Sequence, residues 1–265
     1  MISPVRAART VRHSAVIARA DFHSFYTWRS WLFGWLVRLL SQVVFYTAVG
    51  ALVGDPEYTR YVVLGAALTL CVAETMMAVA STCWDRQAGT MGLLTASPVE
   101  PGLHYFGRSL QKPGSAMVTT SIALLAVPPF FGIGWTWWQV PLLVGIVVLT
   151  CLSTYCMTLL VASAALVFAE ARNVISTVTT VTVTAICGAM VPVAFWPTPL
   201  QWAAQLLPVT HGLTAVRAVE AGAPATAVLA ALGLMLLAAL CWLALAMLSF
   251  RRIFARARTG NDLLD

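Results

Sequence analysis

The residues that could perform chemistry are few, and their spacing matches no catalytic or metal site. No CxxC pair occurs among the six cysteines, none of the four histidines is spaced for a metal site, and no GxSxG nucleophile elbow occurs. A phosphate-binding loop ends in Gly-Lys-Ser or Gly-Lys-Thr, but the single lysine, Lys112, is followed by Pro113. We therefore expect no metal, no cofactor and no catalytic residue in this chain. If ATP drives it, the ATPase is a separate polypeptide.

Two charged residues lie inside long apolar segments, at similar depths from the same side. They are Arg38 and Glu74. A charge near the bilayer centre costs roughly 2.5–3.5 kcal/mol on insertion scales, so it usually has a partner. We predict an ion pair between them. The pair would be a packing clamp, or it would belong to the transport path or gate. Alternatively, Glu74 is protonated and unrelated to Arg38.

The composition shows which solvent surrounds the chain. Of its 265 residues, 60% are hydrophobic and 10% are charged, whereas a soluble domain carries about 25% charged residues. Lipid must therefore cover much of the surface. The net charge is +6, but the arginines stand between apolar segments. That placement orients membrane helices and argues against nucleic-acid binding.

Apolar segments of about 20 residues, the length that crosses a bilayer, predict six spans. We expect an all-α membrane protein with a six-span domain over 31–250, an N-terminal segment at 1–30 and a tail at 251–265. The predicted spans are 31–53, 60–82, 114–133, 139–168, 174–192 and 225–250.

The basic residues predict the orientation of these spans. If the N-terminus is cytoplasmic, only Arg60 and Arg217 fall outside, as the positive-inside rule requires. Both termini are then cytoplasmic. The Arg- and Ala-rich, Lys-poor composition is typical of GC-rich bacteria, so we expect a multi-pass protein of the bacterial cell membrane.

The N-terminal segment has a helical apolar pattern. One face would carry Val11, Ala15, Ala18, Phe22 and Phe25. A basic amphipathic helix of this kind lies in the membrane interface. A mitochondrial targeting peptide is the alternative, which Asp21 disfavours.

Two segments between spans are distinctive. Residues 84–113 form the longest polar loop, predicted on the cytoplasmic side. Residues 193–224 are apolar but interrupted by prolines, which exclude one straight helix. We predict two short helices there, at 198–206 and 210–220, that dip into the outer leaflet. His211 in this hairpin is either a structural hydrogen-bonding residue or a ligand for substrate or a proton.

This order of elements resembles the permease subunits of ABC-2 type exporters, the class that contains daunorubicin and nodulation-factor exporters. Two stretches carry the resemblance. The first is Asp85-Arg86-x-x-Gly89-Thr90-Met91-x-Leu93-Leu94-x-x-Ser97-Pro98, followed by Gly107-Arg108-x-Leu110. The second is Gly188-x-x-x-Pro192, then Leu200-Gln201, Pro208-x-Thr210-His211 and Arg217. Arg108 stands where lysine is usual, and His211 where tyrosine is frequent.

The resemblance implies a coupling helix over 85–96 that docks in a cleft of a cytosolic ATPase subunit. Two ATPase copies would bind ATP and Mg, and a second permease copy or a related permease would complete the assembly. The implied coupling residues are Asp85, Arg86, Gly89, Thr90, Met91, Leu93, Leu94 and Pro98. The implied outer gate contains Pro192, Pro197, Pro199, Pro208, His211 and Arg217. The substrate route would lie between spans one, two and five of the two permeases.

We therefore expect a permease of an ATP-driven exporter and not an enzyme. Its spans carry few fixed charges, which suits a hydrophobic or amphipathic substrate such as a drug, an antibiotic or a glycolipid. A polysaccharide or teichoic-acid exporter is the alternative within the family. A secondary transporter or channel is the alternative from another class.

Overall fold

The computed structural model describes residues 4–25, 27, 29–87, 89–97 and 99–259, and in these ranges all regular structure is helical. A π-helical segment, Ser30–Leu36, continues directly into α2. The α-helices are α1 (Pro4–Phe25), α2 (Val37–Ala51), α3 (Pro56–Thr82), α4 (Trp84–Gln87), α5 (Met91–Ala96), α6 (Pro101–Ser109), α7 (Gln111–Ala126), α8 (Gln139–Val167), α9 (Arg172–Ile186), α10 (Thr198–Gln205), α11 (Pro208–Glu220) and α12 (Ala225–Arg258).

Five described helical stretches are long and apolar enough to cross a membrane, which makes this a multi-pass membrane protein. They are Ser30–Ala51, Pro56–Arg86, Pro101–Phe131, Gln139–Val167 and Ala225–Arg258. Each contains most of one predicted span. The third begins earlier than predicted because α6 and α7 follow each other almost without a break. The last is longer because α12 continues past its apolar part through an arginine-rich end.

The predicted fifth span, 174–192, is a shorter helix. α9 has 15 residues and is therefore about 22 Å long, less than the roughly 30 Å of a bilayer core. It ends just before Gly188, whose φ of +84° is left-handed and favours glycine. A six-span topology with a full-length fifth helix is therefore not confirmed.

α9 runs antiparallel to α3 along its middle. At one end the hydroxyl of Ser176 donates to the carbonyl oxygen of Met76 over 3.3 Å. Beyond the other end, the carbonyl of Ala189 approaches Gly65 so closely that a side chain on Gly65 would collide with it. Small residues at such contacts allow close backbone packing in membranes. Between Ser176 and Ala189 the chain therefore follows α3 from Met76 to Gly65, about 16 Å along its axis.

α3 is the centre of the bundle. Of the residues in its most apolar segment, 89% are buried, whereas the value is 22% for the first and the last span. α2, α7, α8, α9 and α11 all pack against it. The first and last spans consequently lie at the periphery, where lipid or another chain can cover them. We call the end of the bundle that carries α4–α6 the loop end, and the end that carries α10 and α11 the hairpin end.

A second, smaller core lies at the loop end, around Tyr105 of α6. Its ring stacks on Phe250 of α12 with centroids 5.1 Å apart, and Phe254 lies 6.2 Å away. The Tyr105 hydroxyl donates to Sδ of Met91 in α5 over 3.4 Å. We call these four residues the aromatic junction. It fixes α5, α6 and α12 to one another.

The N-terminal helix α1 packs on protein along one face. Ser14 and Ala18 are buried, and Ser14 Oγ lies 3.1 Å from Nδ1 of His104 in α6. Gly107 makes this approach possible, because a Cβ there would lie 2.6 Å from the carbonyl oxygen of Val11. The apolar face predicted to rest in lipid is thus partly occupied by α6.

Candidate functional site

The segment predicted as one coupling helix over 85–96 is two short helices, α4 and α5. Gly89 lies between them with φ +67°, a left-handed conformation that other residues adopt only with strain. Both the backbone NH and the hydroxyl of Thr90 donate to the carbonyl oxygen of Asp85, each over 3.0 Å. These bonds close the turn, and the sharp corner sets the angle at which α5 leaves α4.

Asp85 belongs to an internal ion-pair cluster. It is 7% exposed, and its Oδ1 lies 3.2 Å from Nη2 of Arg108. Its Oδ2 lies 3.5 Å from Nε2 of His104. His104 and Arg108 are four residues apart on α6, so they share one helix face. Asp85 therefore holds α4 against α6. Its carboxylate is turned inward, whereas the predicted role as a coupling residue would have it face a partner.

Arg86 connects α4 to the end of α8. Its Nη1 donates to the carbonyl oxygens of Leu166 and Val167 over 3.0 and 3.1 Å. The last carbonyls of a helix lack partners within it and favour a cation. Arg86 also lines a cavity of about 450 Å³, together with Glu170 and Arg172 of the α8–α9 turn.

The remaining coupling residues divide into anchors and exposed groups. Met91 is buried in the aromatic junction, and Leu94 is half-buried against the same core. Leu93 is 77% exposed, and Gly89 and Thr90 are also exposed. Pro98 lies outside the described residues. α5 thus presents one large apolar side chain, Leu93, from a helix whose opposite side is fixed.

Two arginines of α12 complete the attachment of α5 and its flanking turn. Arg258 donates from Nε to the carbonyl oxygen of Thr95 and from Nη2 to that of Ser97, each over 3.0 Å. Arg251 pairs with Glu100 over 2.5 Å. Sequence reasoning missed these contacts, because the partners are more than 150 residues apart and no spacing rule connects them. A run of arginines at the end of a span was the only signal, and it was interpreted as topology.

The buried carboxylate Glu74 contacts Trp35 instead of Arg38. The indole Nε1 of Trp35 donates to Oε1 of Glu74 over 2.6 Å. The guanidinium of Arg38 lies on the Trp35 ring, 4.6 Å from its centroid. Lys112, Ser115 and Thr119 of α7 also lie near the carboxylate. The predicted direct ion pair between Arg38 and Glu74 is therefore wrong. Glu74 accepts a hydrogen bond from the Trp35 indole, and Arg38 stacks on the ring of the same tryptophan.

At the hairpin end, Arg217 of α11 joins three parts of the chain. Its Nη2 donates to the carbonyl oxygens of Tyr61 and Ala189, each over 3.2 Å. Its guanidinium lies 3.5 Å from the centroid of the Tyr61 ring, and the Tyr61 hydroxyl donates to Gly188 over 2.7 Å. Burial lowers the pKa of Arg217, but an arginine retains its proton in proteins. We call Arg217, Tyr61 and the carbonyl groups of Gly188 and Ala189 the hairpin clamp.

The predicted gate residues shape the hairpin. Pro199 and Pro208 stand in the first turns of α10 and α11, where a missing NH costs nothing. Pro192 and Pro197 flank the short turn between α9 and α10. His211 Nε2 lies 2.8 Å from the carbonyl oxygen of Gln205 and closes the corner between the two helices. This contact supports the structural role for His211.

Nothing in the described part of the chain offers a metal site, since no group of three or more His, Cys, Asp or Glu side chains comes together there. The described side chains leave Leu93 exposed at the loop end and the hairpin clamp half-buried at the other end, with packed helices between them.

A comparison with known families supplies an independent finding. The family model described as ABC-2 type transporter matches residues 17–221. The match begins within α1 and ends just after α11, so it includes α4, α5 and the hairpin and leaves out α12. A comparison with curated proteins finds none that matches.

Proposed function

Because this chain belongs to the ABC-2 type transporter family, we propose that it is the permease of an ATP-driven exporter of hydrophobic or amphipathic compounds. The family membership makes it the membrane component of an ABC transporter. Outward direction and substrate class are our proposal. The low charge of the spans supports a substrate that partitions into lipid, such as a drug, an antibiotic or a glycolipid.

The observation that carries the proposal is the exposure of Leu93 on an otherwise fixed helix. Leu93 is 77% exposed on a firmly held element at the polar loop end, where its side chain could fill an apolar pocket of a partner. The partner we propose is a cytosolic ATPase subunit, present in two copies. The chain itself has no phosphate-binding loop, so nucleotide chemistry belongs to that subunit.

Force applied to α5 would reach the spans through two routes. One passes through Met91 and the aromatic junction to α12. The other passes from Arg86 in α4 to the end of α8. Because α8 packs on α3 and α11, movement at the loop end would reach the hairpin end through rigid helices. Packed helices transmit such shifts because they have discrete arrangements.

A second permease would cover the exposed face of the first span and of α9. In α9 this face carries Val174, Val178 and Val181, each more than half exposed. The three side chains follow at helical spacing along one side. We propose that this face, together with the exposed side of Ser30–Ala51, lines the substrate route between two permeases. α9 and the α10–α11 hairpin would together make the sixth crossing and bring both termini to the cytoplasm.

Reconstitution tests this proposal. The chain is purified with the ATPase encoded beside its gene, placed in proteoliposomes and supplied with fluorescent amphiphiles and ATP. Substrate-stimulated ATP hydrolysis with outward movement supports it. Movement driven by an ion gradient without ATP would indicate a secondary transporter, and stimulation only by polysaccharide precursors would favour the alternative within the family.

A further inference from the structure

A groove on the periphery of the bundle has no place in the transport machinery described above. It lies between α8 and α12 at the loop end and has a volume of about 360 Å³. Leu160, Leu245 and Leu248 line its apolar part, and Arg252 and Arg256 line its polar part. The groove thus changes from apolar to cationic along its length, and no acidic residue lines it.

The arginines of the groove differ from the other two at the end of α12. Arg251 and Arg258 are held by Glu100 and by the carbonyls of Thr95 and Ser97. Within the described ranges, no hydrogen bond or ion pair engages the side chain of Arg252 or Arg256, and both residues are exposed. They are one helical turn apart, with Cβ atoms about 5–6 Å from each other. Both guanidinium groups can therefore reach a single phosphate.

The apolar part has the depth of an acyl chain. Leu245 and Leu248 are 51% and 43% exposed, so lipid can contact both side chains on this membrane-spanning helix. From Leu245 to Arg256, α12 rises about 16 Å, close to half of the roughly 30 Å hydrocarbon core. With the arginines at headgroup level, the leucines lie beside the upper acyl chain. A free phosphate would use only one end of this surface.

We propose that the groove binds one anionic phospholipid from the leaflet at the loop end. Arg252 and Arg256 hold its phosphate, and Leu160, Leu245 and Leu248 contact its acyl chain. Basic pockets between membrane helices bind anionic headgroups, and each Arg or Lys near the surface contributes about 1 kcal/mol. The inference requires that the chain spans a membrane, and it is independent of the direction and substrate of transport.

On their other side, the same turns of α12 contact α5 through Arg258, and they contact Glu100, the residue before α6, through Arg251. A lipid bound in the groove would therefore hold the end of α12 against α5, the helix that carries Leu93. The site would stabilise the protein in an anionic membrane, and a neutral membrane would not supply its ligand.

The test is native mass spectrometry of the full chain, in the assembly in which it purifies, in a neutral detergent. Dioleoylphosphatidylglycerol is titrated against dioleoylphosphatidylcholine. We expect one tightly held phosphatidylglycerol per chain and weaker binding of phosphatidylcholine. R252Q and R256Q should each weaken phosphatidylglycerol binding by about fivefold, the effect expected for one basic residue near an anionic headgroup. R252K/R256K keeps both charges and should retain most of the affinity.

The matched control is R9Q/R12Q, which removes two exposed arginines from α1 and should leave the tight lipid in place. Equal binding in wild type and R252Q/R256Q overturns the proposal. So does displacement of the lipid by millimolar glycerol phosphate, which would identify a free phosphate as the ligand. Each single variant provides the same test should the double variant fail to fold. No arm of the experiment uses ATP, so its failure is distinguishable from failure of the proposed export function.

Discussion

Arg258, in the last turn of α12, donates from Nε to the carbonyl oxygen of Thr95 in α5 over 3.0 Å. The contact joins the end of the last membrane span to the element proposed to receive the ATPase. It also satisfies a carbonyl at the end of α5 that has no partner within the helix. The orientation of α5 therefore depends on α12, which lies entirely beyond the residues matched by the family.

Arg258→Gln should loosen α5 while leaving the bundle folded. A hydrogen bond of this kind contributes about 0.5–1.5 kcal/mol net, so the amides of 91–97 should exchange with deuterium several times faster. Hydrogen exchange followed by mass spectrometry measures this directly. Arg9→Gln, which removes the same charge from α1, is the control. Unchanged exchange in Arg258→Gln would show that the contact does not hold α5.

Asp85→Asn should destabilise the loop end, because it leaves Arg108 partly buried beside a neutral group. Breaking a buried pair by removing one partner costs about 3–5 kcal/mol, and the partial exposure here places the expected loss near the lower limit. A double-mutant cycle with Arg108→Gln, followed by thermal unfolding in detergent, measures the coupling. Additive effects would show that the two residues do not stabilise each other. Asp85→Arg should be worse than Asp85→Asn, since it places a second guanidinium group beside Arg108.

Leu93→Ala and Leu94→Ala are a matched pair on adjacent residues. Leu93 is mostly exposed, so its loss should change the free energy of unfolding by less than about 0.5 kcal/mol but weaken co-purification of the ATPase. Leu94 packs on the second core, so its loss should cost about 1 kcal/mol of stability. Pull-down of the ATPase and thermal unfolding separate the two effects. The opposite assignment would place the docking surface on the other side of α5.

Five of the six apolar spans were predictable from the sequence because hydrophobicity and length determine which segments cross a bilayer. The fifth predicted span, 174–192, is a helix of only 15 residues. The short helices of the hairpin were predictable because prolines fix where helices can begin. The partner of Glu74 was not predictable. Counting residues from the ends of two spans gives the depth of Arg38 and Glu74, but not the direction in which each side chain points around its helix. Trp35, three residues before Arg38 and nearly one turn away, lies on the side that faces Glu74.

The contact between Trp35 and Glu74 can be tested against the pair it replaces. Trp35→Phe removes the indole donor but keeps an aromatic ring, and should cost about 1–3 kcal/mol because a buried acceptor loses its partner. In double-mutant cycles with Glu74→Gln, we expect a coupling energy of about 1 kcal/mol for Trp35 and close to zero for Arg38. Unfolding in detergent gives both values. Strong coupling of Arg38 alone would restore the direct ion pair.

The hairpin clamp should control the access of solvent to the hairpin end. The reactivity of the buried thiol of Cys187 can measure that access. Cys187 is 1% exposed and immediately precedes Gly188, which accepts the bond from Tyr61. In a variant that retains only Cys187, a maleimide should react slowly. Arg217→Lys keeps the charge but lacks the planar fork that reaches two carbonyls and covers a ring, so labelling should accelerate several-fold.

Arg60→Gln is the control for that measurement. Arg60 pairs with Glu220 over 3.9 Å, but its side chain is 51% exposed, and an exposed pair contributes only about 0–1 kcal/mol. Its loss should leave labelling of Cys187 unchanged. Equal acceleration in both variants would mean that labelling of Cys187 does not report specifically on the contacts of Arg217. Acceleration in Arg217→Lys alone would assign the closing of this end to the two carbonyls and the ring that arginine contacts together and lysine cannot.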